Sequence, residues 1–167
     1  STKVAPPEGA ASSGGVARIW VAYGSGVAAG LMVIGHAAGI AQAAGFSGWM
    51  AAVVIAVCNL AGSLLTGWLA DRIPHRWILS VLPLLGALAL VVLSILPGAT
   101  LALLGVVGFS YGGIITTYPA AIARMFPGER GPRVYGRVFT AWGAAGLLAP
   151  WFAGQIYDWS TSYGQAL

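Results

Sequence analysis

The chain has 167 residues, of which 58% are hydrophobic and 7% charged; soluble domains carry roughly 25% charged residues, so there is too little charge here to clothe a soluble globular surface. Twenty-five glycines follow no three-residue period, which excludes a collagen-like chain. A lone cysteine, Cys58, excludes an intrachain disulfide, and no zinc or iron–sulfur spacing is present, so no cofactor or metal is expected.

Residues 1–15, STKVAPPEGAASSGG, are polar and rich in Pro, Gly and Ser, and read as a disordered cytoplasmic tail or an inter-half linker. Residues 16–167 read as one transmembrane helical domain. Five apolar segments follow, at about 16–40, 49–70, 77–96, 100–123 and 134–157. A helix of about twenty residues rises ~30 Å, the thickness of a bilayer's hydrocarbon core. Each segment is therefore long enough to cross a membrane. The links GFSG, DRIPHR, PGA and RMFPGERGPR are short and carry the Gly and Pro that stop and start helices. Consecutive helices are antiparallel on this reading.

Alternation then sorts the charges. Lys3 and Arg18, then Arg72 and Arg76, then Arg124, Arg130, Arg133 and Arg137 all fall on one side, so all eight basic residues share it. The opposite links contain no lysine or arginine. Positive charge marks the cytoplasmic side of membrane proteins. The expectation is an integral protein of the inner cell membrane with a cytoplasmic N-terminus. Arginines at membrane edges answer to topology and anionic headgroups, so membrane lipid is the expected partner and nucleic acid is not.

Small residues line the segments. Gly26/Gly30, Gly35/Gly39 and Gly108/Gly112 are spaced to let helix backbones approach closely in lipid. Pro83, Pro119 and Pro150 lie inside segments, where each removes a backbone hydrogen bond. They read either as tolerated kinks or as points where a helix bends during transport.

The stretch GWLADRIPHRW, Gly67 to Trp77, interrupts this apolar pattern. Gly67 lets a neighbouring helix come near, and Asp71 ends the second segment. Its carboxylate can pair with Arg72 or Arg76, or accept from the N-terminus of a neighbouring helix. Gly67, Asp71, Arg72 and Arg76 thus form a candidate conformational latch, although an ordinary basic loop has much the same composition. The stretch resembles the major facilitator superfamily signature glycine–x–x–x–aspartate–arginine–x–glycine–arginine–arginine, with Pro74 in place of the glycine and His75 in place of one arginine. YGGIITTYPAAIARMFP (Tyr111 to Pro127) and YGRVFTAWGAAGLLAPWFAGQIYD (Tyr135 to Asp158) resemble helices ten and eleven of the oxalate/formate antiporter and monocarboxylate transporter group. Tyr23 to Gly39 is similar to helix seven. The resemblance implies an all-α half bundle corresponding to helices 7–11, with an N-terminal half and a twelfth helix as missing partners.

In oxalate/formate antiporters basic residues of helices eight and eleven engage the anionic substrate. The resemblance aligns Ser63 and Trp142 with those positions. Neither is charged, which points to a small organic monoanion rather than oxalate. The candidate substrate-binding residues are His36, Asn59, Ser63, Tyr111, Tyr118 and Trp142. His36 is a titratable group deep in a helix, suited to proton coupling or to anion contact, or else bonded to a neighbouring carbonyl or serine. Asn59 and Ser63 lie one turn apart on one face, as substrate contacts or as interhelical glue. Tyr111, Tyr118 and Trp142 offer stacking and hydroxyl contacts, or simply pack. No paired carboxylates, nucleophile–histidine grouping or P-loop occurs, so an enzyme is not expected. The sequence reads as part of a secondary active transporter, an antiporter or symporter; the alternative is a non-transporting membrane scaffold that assembles with a partner.

Overall fold

In an apolar solvent every backbone N–H and C=O must find its partner inside the chain, and a helix does this within one segment. The computed structural model describes residues 13–160, and all of its regular structure is helical. Five α-helices run through it: α1 Ser13–Ala43, α2 Gly48–Ala70, α3 His75–Ile95, α4 Thr100–Met125 and α5 Arg130–Ser160. The PGA link is a short 3-10 helix, Pro97–Ala99, rather than an open turn.

The helices outrun their apolar segments. α1 begins at Ser13, inside the stretch read as tail, and α5 begins at Arg130 rather than near residue 134. The cause is local: Ser13, Gly14 and Gly15 before Val16 and the arginines before Val134 are not apolar, yet they continue a helix already nucleated by its apolar part. Residues 1–12 of the expected tail lie outside the described residues. α1 to α4 are long and apolar enough to cross a membrane. α5 is as long as α1 but less apolar, because arginines open it and Trp, Gly and Pro dilute its remainder.

Packing follows the small residues. α4 is the central helix; it touches all four others and lies most closely against α2. Glycine makes that approach possible. An added Cβ at Gly108 would lie 2.8 Å from the Ile55 carbonyl oxygen, and one at Gly62 or Gly112 would overlap the backbone of Phe109 or Asn59. α1 pairs chiefly with α5, and Trp20 donates an indole hydrogen bond to Thr140 at 2.9 Å. Pro83 and Pro150 lie inside α3 and α5, and their rings pack against Gly26 and Gly35 of α1. Two apolar clusters fill the bundle. One gathers Tyr23, Ile78, Leu82, Ile114 and Val138, and the other Val33, Ile55, Leu90 and Leu104.

Large apolar side chains cover the outside, as lipid requires. Six of the seven tryptophans lie towards the helix ends: Trp20, Trp68 and Trp77 towards the arginine-bearing end, and Trp49, Trp151 and Trp159 towards the other. Such belts mark the two membrane–water boundaries. Trp142 is the exception and sits half-buried in the middle of α5.

Candidate functional site

Four of the six candidate residues converge on two consecutive positions of α4. Ser63 of α2 donates its hydroxyl to the Gly112 carbonyl at 3.1 Å. Thr116 donates to the same oxygen at 3.0 Å from one turn along α4. Asn59, one turn before Ser63, lies against Gly112, and a Cβ there would meet its amide oxygen at 2.9 Å. From the opposite side Trp142 of α5 donates its indole N–H to the Tyr111 hydroxyl at 2.8 Å. Ser63 and Trp142 thus bond to consecutive residues of α4.

α1 closes the third side. Gly30 lies so near the Tyr111 ring that an added Cβ would overlap it. The Trp142 ring stacks on Phe139 with centroids 5.4 Å apart and planes 5° from parallel, and Phe139 in turn meets Tyr135 at 5.5 Å. These α5 residues, spaced by three and four, form an aromatic stripe on one helix face. Tyr135 and Phe139 were not singled out from the sequence; their spacing relative to Trp142 was the available signal.

The structure leaves His36 and Tyr118 outside this cluster. His36 lies about 9 Å of helix beyond Gly30, away from the arginine end, and its Nδ1 is 3.1 Å from the Met32 carbonyl. Tyr118 lies about 10 Å down α4 from Tyr111, where its ring meets Tyr23 at 4.7 Å. These residues belong to three levels of the bundle rather than one.

The latch is wired differently from the sequence expectation. Asp71 pairs with neither Arg72 nor Arg76; its carboxylate takes Arg124, in the last turn of α4, at 2.7 Å. Arg72 turns back over Trp68, 3.7 Å from the ring centroid, and donates to the Trp68 carbonyl at 2.9 Å. It thereby caps the C-terminus of its own helix. Arg76 lies 6.0 Å over Trp77. Gly67 meets Thr116, whose methyl would lie 3.4 Å from an added Cβ. The Asp71 contact therefore ties the α2–α3 turn to the end of α4.

Sequence comparison supplies the family. The sequence model of the Major Facilitator Superfamily matches residues 9–165. The chain belongs to the major facilitator superfamily. It is similar to an uncharacterized MFS-type transporter, YhjX, of Escherichia coli strain K12, with 30% identity over 125 residues. The match covers 71% of this chain and 31% of that relative, so the chain spans about a third of the relative's length. As a superfamily member it is an integral membrane protein of a transport family, and the all-helical bundle fits half of such a transporter.

Proposed function

We propose that the chain forms part of a secondary active transporter for a small organic monoanion, oriented with its arginine-bearing end in the cytoplasm of an inner membrane. The observation that carries the reading is the convergence of Asn59, Ser63 and Trp142 on Tyr111–Gly112. In secondary transporters the substrate sits near the bilayer midplane between two repeats, and this cluster lies at mid-helix on α2, α4 and α5. Family membership supports transport over the scaffold alternative.

The chemistry selects the charge. Among the described residues the cluster holds no cation. The Tyr111 hydroxyl accepts from Trp142 and keeps its own proton to donate, and the Asn59 amide brings further donors. Neutral donors of this kind can hold one carboxylate, whereas a dianion in a low-dielectric site requires a countercharge. The stacked Trp142–Phe139 pair offers a flat apolar wall to the organic part of the substrate. His36 and Tyr118 then serve as titratable and hydroxyl-bearing stations above and below the cluster along the path. The Asp71–Arg124 pair acts as the latch at the cytoplasmic end, with Gly67, Arg72 and Arg76 beside it.

The test is counterflow in proteoliposomes containing the full-length protein, with Asn59→Leu and Trp142→Ala beside the wild type. Uptake of lactate- or formate-like monoanions, lost in both variants while the protein stays folded, supports the reading. Normal uptake in both variants removes the cluster from the substrate path.

A further inference from the structure

We propose that a cleft between α1 and α3, floored by α4 at the arginine-bearing end, binds the headgroup and the upper part of one acyl chain of an anionic phospholipid. The cleft encloses about 410 Å³, within the about 300–1,000 Å³ usual for small-molecule sites. Arg18 of α1 and Arg76 of α3 line it from opposite walls. Among the described residues neither arginine has a carboxylate partner; the Asp71 carboxylate is taken by Arg124. No acidic side chain lines the cleft.

Apart from Ser80, whose hydroxyl is held by the Arg76 carbonyl, and the Tyr118 hydroxyl, the rest of the lining is apolar and runs inward. Ala22 and Leu79 lie about one turn inward of Arg18 and Arg76 along their helices, Met125 lies at the mouth where α4 ends, and Tyr118 stands about 10 Å of helix inward of Met125. Trp77, exposed beside Arg76, marks the level of the membrane boundary. Positive charge at headgroup depth above an apolar slot matches a lipid that is negative at its phosphate and apolar below it. Basic pockets between transmembrane helices bind such headgroups. The groove between α1 and α5 makes the contrast: it holds about 360 Å³ and is lined by Trp20, Gly24, Ala28, Ala141, Leu148 and Phe152 among others, with no charged residue. Volume alone therefore does not single out a lipid; the two arginines do. The proposal shares Tyr118 with the proposed substrate path but does not depend on which substrate is transported.

Native mass spectrometry of the detergent-purified full-length protein tests it. Dioleoylphosphatidylglycerol is titrated against dioleoylphosphatidylcholine, with inorganic phosphate as a separate competitor. The phosphatidylglycerol should be retained in preference, and removing each arginine should weaken its binding about fivefold. Arg18→Gln/Arg76→Gln should therefore abolish the preference, while Arg130→Gln/Arg133→Gln, whose side chains do not line the cleft, should keep it. Ala22→Leu, which fills the slot and keeps both charges, should also weaken retention, and it serves where the double arginine variant fails to fold. Equal retention of the two lipids, equal loss in the Arg130/Arg133 variant, or displacement by inorganic phosphate alone would overturn the proposal.

Discussion

Neutralising Asp71 should leave the fold intact and disturb the balance between transport conformations. The Asp71–Arg124 pair is a single 2.7 Å contact, and its side chains remain 71% and 55% exposed respectively. An exposed pair of this kind contributes about 0–1 kcal/mol, small beside the about 5–15 kcal/mol that holds a domain folded. The same energy weighs more on two conformations of nearly equal free energy. If about 1 kcal/mol is lost from one of them, their ratio changes by about fivefold. The perturbations are Asp71→Asn, Arg124→Gln and both together, in the full-length protein. Transport rate and the accessibility of a reporter cysteine are read in proteoliposomes, with Tm read in detergent. We expect each single variant to transport several-fold more slowly with Tm within about 3 °C of wild type. The double variant should be little worse than either single one, because the second change removes a partner already lost. Wild-type transport in the single variants, or strictly additive effects in the double, would refute the argument.

Other outcomes follow from the packing and the topology. Gly108→Ala forces a Cβ to within 2.8 Å of the Ile55 carbonyl oxygen; the overpacking costs about 1–3 kcal/mol, read as a lower melting temperature on size-exclusion chromatography. Gly136→Ala, with nothing within 4 Å of the added carbon, should be neutral or slightly stabilising in the same assay. Ser63→Ala should cost little stability, about 1 kcal/mol or less, because Thr116 still donates to the Gly112 carbonyl; a large loss of Tm would assign Ser63 to helix packing. In a Cys58→Ala background, single cysteines at positions 47 and 98 should react with an impermeant reagent from outside, and those at 74 and 131 only from inside. The reverse pattern would invert the proposed orientation.

The helices were legible because lipid imposes one rule on a whole segment: long apolar runs separated by Gly and Pro must be helices. Their ends were less legible, since α1 and α5 run into polar residues whose helicity depends on the turn already formed. The Gly108/Gly112 spacing announced a close helix contact, and α2 fills it. Which helix would fill it was not written in the spacing. Asp71 was legible as a charge at a helix end, but its partner lies 53 positions away on another helix, while Arg72 and Arg76 were only its near neighbours. Asn59 and Ser63 share a face by helical period alone. Their meeting with Tyr111 and Trp142 is tertiary, set by α4 passing between α2 and α5, and so is the separation of His36 from all four.

The central claim is that the Tyr111–Gly112 cluster contacts a transported monoanion. Initial uptake of radiolabelled lactate, formate and oxalate into proteoliposomes of the full-length protein tests it most directly, with wild type and Trp142→Phe compared side by side. Trp142→Phe keeps an aromatic ring, though a smaller one, and removes the N–H that the Tyr111 hydroxyl accepts. The account predicts monoanion uptake well above oxalate uptake in the wild type, and an apparent affinity weakened about fivefold to tenfold by loss of that hydrogen bond at preserved expression. Oxalate carried fastest, with Trp142→Phe indistinguishable from wild type, would contradict it.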